Sequence, residues 1–147
     1  MKKFVYVLIL AVIGLMGCQV QPAFSGEPVN DTKLIGSWTK TLSPTDSAGN
    51  PCPFVPDSME FYKDQTMTMP NFGNQHLPYK TTVTLDEKLS IEKRSPDLKG
   101  KNLLLIKPNP NMDWARTPMA YGYSVEKNEL TLILQGWPPA KFARVAK

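Results

Sequence analysis

Cysteine and histidine are scarce in this chain, and their scarcity excludes several classes of small protein. The 147 residues include two cysteines, Cys18 and Cys52, and one histidine, His76. So few cysteines exclude a disulfide scaffold. A hydrolytic triad or a zinc site usually requires histidine, and one loop histidine is most often a solvated side chain. His76 is therefore not expected to act as a catalytic base.

The sequence also lacks the short motifs of phosphate, metal and acyl-transfer chemistry. It contains no Gly-rich phosphate loop, no paired metal-ligand spacing and no nucleophile elbow. The carboxylate pairs, Asp57 with Glu60 and Asp86 with Glu87, fall at predicted turns and strand ends, where we expect them to be solvated. The sequence predicts a protein that is not an enzyme and that holds no metal or cofactor.

Neither sign of charge dominates once the amino terminus is set aside. The chain has 17 Lys and Arg against 13 Asp and Glu, and without Lys2 and Lys3 the basic count falls to 15. The densest basic group comprises Lys93, Arg94, Lys99 and Lys101. It is interrupted by Asp97 and is either a solvated loop face or a contact with lipid headgroups or other anionic surfaces. Nucleic-acid binding is not supported.

The amino terminus has the pattern of an export signal. Lys2 and Lys3 precede an apolar run over residues 4–16. A charged start, a short apolar core and a small residue before the cut are typical of a secretory signal. The run is too short to span a bilayer as a helix, which takes about 20 apolar residues.

Leu15-Met16-Gly17-Cys18, which ends this segment, resembles the bacterial lipobox. The resemblance implies cleavage before Cys18 and a lipid on its thiol, so that residues 1–17 are a lipoprotein signal peptide. The alternative is an ordinary cleaved signal with an incidental Cys18. Gln19, in place of Asp, implies the outer membrane facing the periplasm in a Gram-negative source. In a Gram-positive source the anchor would be the outer leaflet of the plasma membrane.

Residues 18–33 then form a lipidated cysteine and a flexible linker, because they are rich in polar residues and Pro. Residues 34–147 form one domain of about a hundred residues, with a modest core. With lipid on Cys18, Cys52 has no partner within the chain. It is either buried under its Pro-rich loop as a small apolar group or free to pair with another molecule.

From Leu34 onward, apolar residues alternate with polar ones in short runs broken by Pro, Gly, Asn and Asp, which predicts antiparallel strands. The predicted strands are 36–42, 58–63, 66–69, 79–85, 89–93, 103–107, 119–126, 130–135 and 141–145. Tight hairpins are predicted at 64–65, 86–88 and 127–128. About eight to nine short strands leave no room for crossover helices, and such a meander buries its dry face by closing into a barrel or folding into a sandwich.

Two motifs at the ends of the predicted domain carry a family resemblance. Gly36-Ser37-Trp38 opens the first strand, and Arg144 lies in the last. With the meander between them, this resembles the bacterial lipocalin-like families of exported small β-barrels, of the calycin type. In lipocalins a Gly-x-Trp motif starts the first strand, and its indole packs at the closed end beneath an arginine from near the chain's end. The resemblance implies that structural role for Trp38 and Arg144, with Gly36 permitting a close chain approach.

The predicted hairpin over residues 59–68 also looks like the family's second hairpin, which commonly has Gly where Gln65 stands. The chain departs from animal lipocalins in its shorter length and in the absence of a clear C-terminal helix. The resemblance implies a fold and structural residues but no particular ligand, because lipocalin ligands differ between members and fold does not determine function.

Aromatic residues are the best indication of a ligand site. Trp114 lies in a long Pro-rich connection, and Tyr79, Tyr121 and Tyr123 share strand faces. These four side chains are predicted to line a cavity for a small apolar molecule, with tyrosine hydroxyls setting its orientation. The alternative is that the tyrosines fill the barrel core.

Two functions remain open at this point. In the first, the domain is a membrane-anchored module that binds a small apolar ligand near Trp114 and Tyr121. In the second, the barrel is solid, and the Pro-rich loops at 43–57 and 108–118 contact a protein partner in the cell envelope.

Overall fold

The computed structural model describes residues 30–114 and 118–146, which form a closed antiparallel barrel of eight strands. The strands follow one another around the barrel in sequence order, and the last pairs with the first. Their bounds are β1 Gly36–Leu42, β2 Ser58–Phe61, β3 Thr66–Thr68, β4 Leu77–Lys80, β5 Asn102–Ile106, β6 Met119–Glu126, β7 Glu129–Ile133 and β8 Ala140–Arg144. The predicted all-β meander closed into a barrel is confirmed.

One α-helix, α1 at Leu85–Arg94, stands where strands were predicted. Strand β4 ends at Lys80, so the strand predicted over 79–85 is wrong beyond its first two residues, and the one over 89–93 is wrong throughout. The hairpin predicted at 86–88 is wrong as well. The helix lies in the connection between β4 and β5, which are antiparallel neighbours, so it is not a crossover between parallel strands. The barrel consequently has eight strands rather than nine.

The sequence around α1 explains why it is helical. Thr84 accepts a hydrogen bond from the Glu87 N–H through its hydroxyl, and the Glu87 carboxylate accepts one from the Thr84 N–H. This reciprocal capping box satisfies two backbone donors that a helix start leaves free. Acidic residues in the first turn and basic residues in the last also complement the helix dipole.

Three short 3-10 helices complete the described elements, at Thr32–Leu34, Pro70–Phe72 and Pro96–Leu98. Among the described residues, neither α1 nor these turns have the length and apolar character that crossing a bilayer would require.

The barrel interior is filled by one cluster of nineteen buried side chains among the described residues. Trp38, Phe61 and Phe142 are the largest of those that are fully buried, each at most 1% exposed. Strand β5 is buried on both faces, because its alternate residues Leu103 and Leu105 pack outside the barrel against Ile91 of α1. The inner cluster and this outer one are therefore separated by the sheet.

The two ends of the barrel carry different connections. Because neighbouring strands are antiparallel, the end at which the chain enters β1 also carries the β2–β3, β4–β5 and β6–β7 connections. We call that end the base. The opposite end carries the β1–β2, β3–β4, β5–β6 and β7–β8 connections, and we call it the mouth.

The described fold begins at Asn30, before the domain start predicted at Leu34. Asn30 is 8% exposed, and its amide nitrogen donates to the Tyr79 carbonyl (3.0 Å) and to Oε1 of Gln65 (3.2 Å). Its amide oxygen accepts from the Thr81 N–H at 2.8 Å. Residues 30–33 are thus part of the base.

Candidate functional site

The mouth is closed by the β1–β2 connection, residues 43–57, which we call the plug loop. Its Cys52 and Val55 side chains are 3% and 5% exposed and belong to the same core cluster as the inward side chains of the strands. Of the two alternatives for Cys52, the structure shows burial. The loop therefore packs into the mouth of the barrel and is not a solvent-exposed connection.

The plug loop also has hydrogen bonds of its own. The Asp46 carboxylate accepts from the N–H groups of Ala48 and Asn50 and from the Asn50 amide, at 2.8 to 2.9 Å. The hydrogen bonds from Asn50 lower the pKa of Asp46. The Cys52 N–H donates to the Pro44 carbonyl at 2.9 Å. The loop is therefore held in its conformation largely by its own hydrogen bonds.

A side-chain hydrogen bond ties the plug loop to the barrel wall. The Tyr121 hydroxyl of β6 donates to the Phe54 carbonyl at 3.2 Å. Burial raises the pKa of Tyr121 to about 12, so the phenol keeps the proton that it donates across the neutral range. The Phe54 side chain itself is 62% exposed, which is unusual for so large an apolar group.

Two mainly apolar cavities of about 190 and 210 Å³ flank Phe54 at the mouth. Phe54, Met119 and Tyr121 line both. Each cavity alone is smaller than the roughly 300 to 1,000 Å³ of drug-sized sites. The first is completed by Pro53, Met69, Asn71 and Phe72, and the second by Ala120, Leu134, Gln135 and Trp137.

The structure places the three predicted tyrosines inside the barrel. Tyr79 packs edge-to-face against Phe61 with ring centroids 5.0 Å apart. Tyr123 donates its hydroxyl to Oδ2 of Asp31 at 3.1 Å, and burial together with that carboxylate raises the pKa of Tyr123. Tyr79 and Tyr123 are thus core residues towards the base, whereas Tyr121 is a wall of both mouth cavities.

Trp114 is not brought together with these tyrosines. It packs on the outer face of the barrel with Ile91 and Leu105, and its ring centroid is 4.8 Å from Nζ of both Lys80 and Lys107. A separate groove of about 230 Å³ between α1 and β5 includes Trp114 in its wall. A single cavity near Trp114 and Tyr121 therefore does not form, because the sheet lies between them.

Gly36, Trp38 and Arg144 meet at the base. The Arg144 guanidinium lies 4.3 Å from the centroid of the Trp38 ring and donates to the carbonyls of Ile35 and Lys33 at 2.6 Å. The Trp38 indole N–H donates to the Leu34 carbonyl at 2.7 Å. Gly36 has φ +127°, and a Cβ there would lie 2.9 Å from the Arg144 guanidinium, so a side chain would displace the arginine.

Sequence reasoning missed Phe54, Phe72 and Met119 as parts of a candidate site. Phe54 follows Pro51-Cys52-Pro53, and that apolar residue inside a Pro-rich loop was the available signal. Phe72 and Met119 had no such signal, because only the barrel closure brings the β3–β4 connection and the start of β6 together at the mouth. Cys18, predicted to carry lipid, lies outside the described residues.

No metal centre emerges from the part of the chain that the structure describes: no group of three or more His, Cys, Asp and Glu side chains could hold an ion. His76 is exposed, stacks on Tyr62 with centroids 4.8 Å apart, and places Nδ1 2.9 Å from the Thr66 hydroxyl.

No protein-family model, curated protein or solved structure matches the chain.

Proposed function

We propose that this protein is a lipocalin-like bacterial lipoprotein that binds a small apolar molecule at the mouth of its barrel. The pair of apolar cavities that share Phe54, Met119 and Tyr121 carries the proposal of binding. Apolar walls with a few polar groups are typical of small-molecule sites, and the Tyr121 hydroxyl supplies a polar group here. The role is passive binding and not catalysis.

The anchoring part of the proposal comes from the amino terminus. Leu15-Met16-Gly17-Cys18 supports lipid attachment at Cys18, and Gln19 supports the outer membrane in a Gram-negative source, with the barrel in the periplasm. The outer leaflet of the plasma membrane is the equivalent site in a Gram-positive source. The Arg144 guanidinium over Trp38 in a closed meander barrel supports the lipocalin-like part.

In this proposal the mouth admits its ligand through movement of Phe54 and not through an open cup. The interior below the mouth is occupied by core side chains, including Cys52 and Val55 of the plug loop. An apolar ligand that displaces the exposed Phe54 ring would rest on Met119 and Tyr121. Removing apolar surface from water drives such binding, at roughly 25 cal/mol per Å².

A titration with the apolar fluorescent probe N-phenyl-1-naphthylamine tests this site. Met119→Gln keeps the side-chain length but places an amide in the wall of both cavities, so we expect the probe's affinity to fall about tenfold. Met112→Gln makes the same change in the β5–β6 connection, where the side chain lines neither cavity. Its affinity should equal that of the wild type. Equal affinities for all three proteins would reject the mouth as the site.

The second candidate is contact with a protein partner in the cell envelope. It is favoured by one observation: both Pro-rich connections, 43–57 and 108–118, belong to the mouth, where Phe54 is exposed. A photoreactive side chain at position 54 should then cross-link a specific envelope protein. The same group at Leu89, a comparably exposed position on α1, should not. No partner specific to position 54 would reject this candidate.

A further inference from the structure

A cavity of about 350 Å³ with both polar and apolar walls lies at the base, beside the point where the chain enters the barrel. Two hydrogen bonds place it there. Tyr123, which lines the cavity, donates its hydroxyl to Oδ2 of Asp31, and Thr81, which also lines it, accepts from the Asp31 N–H at 2.7 Å. The cavity is larger than either mouth cavity and has a different lining.

Its lining is cationic. Among the described residues around the cavity, the charged side chains are Lys88 of α1 and Lys101, which directly precedes β5. Neither makes an ion pair with a described carboxylate. Hydroxyl and amide groups of Thr81, Thr82 and Asn102 complete the polar part of the lining.

Two carboxylates of α1 and one of the segment before β1 make ion pairs or hydrogen bonds with groups other than Lys88 and Lys101. Glu87 pairs with Lys80, and Glu92 accepts from the Gly100 N–H at 3.0 Å. Asp31 accepts from the Tyr123 hydroxyl and from the Lys33 N–H. Lys88 and Lys101 therefore line the cavity without a direct ion-pair partner among the described carboxylates, which suits an anion that carries several oxygen atoms.

The position of the base relative to the proposed anchor suggests where such an anion comes from. Asn30 is fixed in the base by its buried hydrogen bonds, and Cys18 precedes it by twelve residues. Twelve residues span at most about 40 Å even when fully extended. A lipid on Cys18 would therefore tether the base, with this cavity, within about 40 Å of the headgroups of the same membrane.

We propose that the base docks on the membrane that holds the Cys18 lipid, and that the cavity receives the phosphate of an anionic phospholipid between Lys88 and Lys101. This inference rests on the proposed lipidation of Cys18 and is independent of ligand binding at the mouth. Docking by the base turns the mouth away from the membrane. The apolar ligand would then enter from the aqueous side.

Lysine labelling of the mature lipidated chain in vesicles tests the docking. The protein is reconstituted in phosphatidylcholine vesicles and in vesicles with about one third phosphatidylglycerol, treated with an acetylating reagent and analysed by mass spectrometry. We expect labelling of Lys88 and Lys101 to slow about fivefold in the anionic vesicles, because each lysine at an anionic surface is stabilised there. Lys93 and Lys99, exposed in the same stretch but outside the cavity, serve as controls whose labelling should not change.

Three results would overturn the proposal. Equal labelling of Lys88 and Lys101 in both vesicles would exclude docking by this cavity. Equal protection of Lys93 and Lys99 would indicate a diffuse attraction without a headgroup site. Protection by inorganic phosphate in phosphatidylcholine vesicles, without protection by phosphatidylglycerol, would assign the cavity to free phosphate. Co-flotation with phosphatidylcholine vesicles reports the lipid anchor alone, so failed lipidation and failed docking are distinguished.

Discussion

The base and the mouth of the barrel are closed by different kinds of interaction. At the base, Arg144 stacks on Trp38 and donates to two carbonyls at 2.6 Å, joining the last strand to the segment before the first. At the mouth, a local loop packs into the barrel and is held to β6 by the hydrogen bond from Tyr121 to Phe54, at 3.2 Å.

This difference suggests a division of roles: the contacts at the base stabilise the barrel, and the mouth is the part available for binding. Closing the base joins positions more than a hundred residues apart, so its contacts depend on the pairing of β8 with β1. The plug loop, by contrast, keeps most of its hydrogen bonds within itself. Its polar contacts with the strands include the bond from Tyr121 to Phe54 and the bonds of Lys40 to Asp57. Ligand sites are commonly drawn from such less stable parts of a structure.

Replacing Trp38 by Ala should have the largest effect on stability. It removes a fully buried indole, and we expect the free energy of unfolding to fall by about 3 to 5 kcal/mol. Trp114→Ala, on the outer face of the barrel, is the matched control and should cost clearly less, because the ring is only partly buried. Chemical denaturation of both variants measures the difference. Equal losses would contradict the contrast between the base and the outer wall.

Raising the pH should weaken the mouth through Tyr121. Its pKa is about 12 in the folded protein against 10 in an unfolded chain. The stabilisation from this neutral phenol is therefore complete below pH 10 and is lost as the pH rises towards 12, by about 3 kcal/mol.

Comparison with Tyr121→Phe isolates this contribution, because phenylalanine has no proton to lose. In denaturation experiments between pH 9 and 12, the wild type should lose stability relative to the variant. A constant difference between the two proteins across this range would contradict the assignment of Tyr121 as a buried donor.

The smallest expected effect concerns two residues in the left-handed region at base turns, Gln65 (φ 65°) and Lys127 (φ 54°). Glycine adopts this conformation without steric cost, so Lys127→Gly should raise the free energy of unfolding by about 1 kcal/mol. Gln65→Gly should gain less, because Oε1 of Gln65 accepts a hydrogen bond from Asn30. Thermal unfolding of both variants measures the two changes. An equal gain at both positions would show that the bond to Asn30 does not stabilise the base.

Local patterns predicted the strands well where one face of the strand is exposed to solvent and the other is buried. The predicted bounds of β1 and β6 agree with the structure, and the turns around Gln65 and Lys127 lie where they were expected. The helix was missed because Leu85, Leu89 and Ile91 suggest alternation. In the structure Leu85 and Leu89 are 70% and 55% exposed, and the capping box from Thr84 to Glu87 is the stronger signal.

The candidate site was less predictable than the strands. The tyrosines at 79, 121 and 123 were expected on one face, and all three lie in the interior core. Whether Trp114 joined them depended on the path of the β5–β6 connection, which no local pattern determines. Folding of the plug loop into the mouth depends likewise on contacts between residues far apart in sequence, as in the bond from Tyr121 to Phe54.

Native mass spectrometry of the protein purified from its own host tests most directly whether the mouth holds a ligand. We expect the wild type and Met112→Gln to carry a stoichiometric small-molecule adduct that is lost on denaturation, and Met119→Gln to lack it. An adduct retained by Met119→Gln, or a clean apo mass for the wild type across preparations, would contradict binding at the mouth.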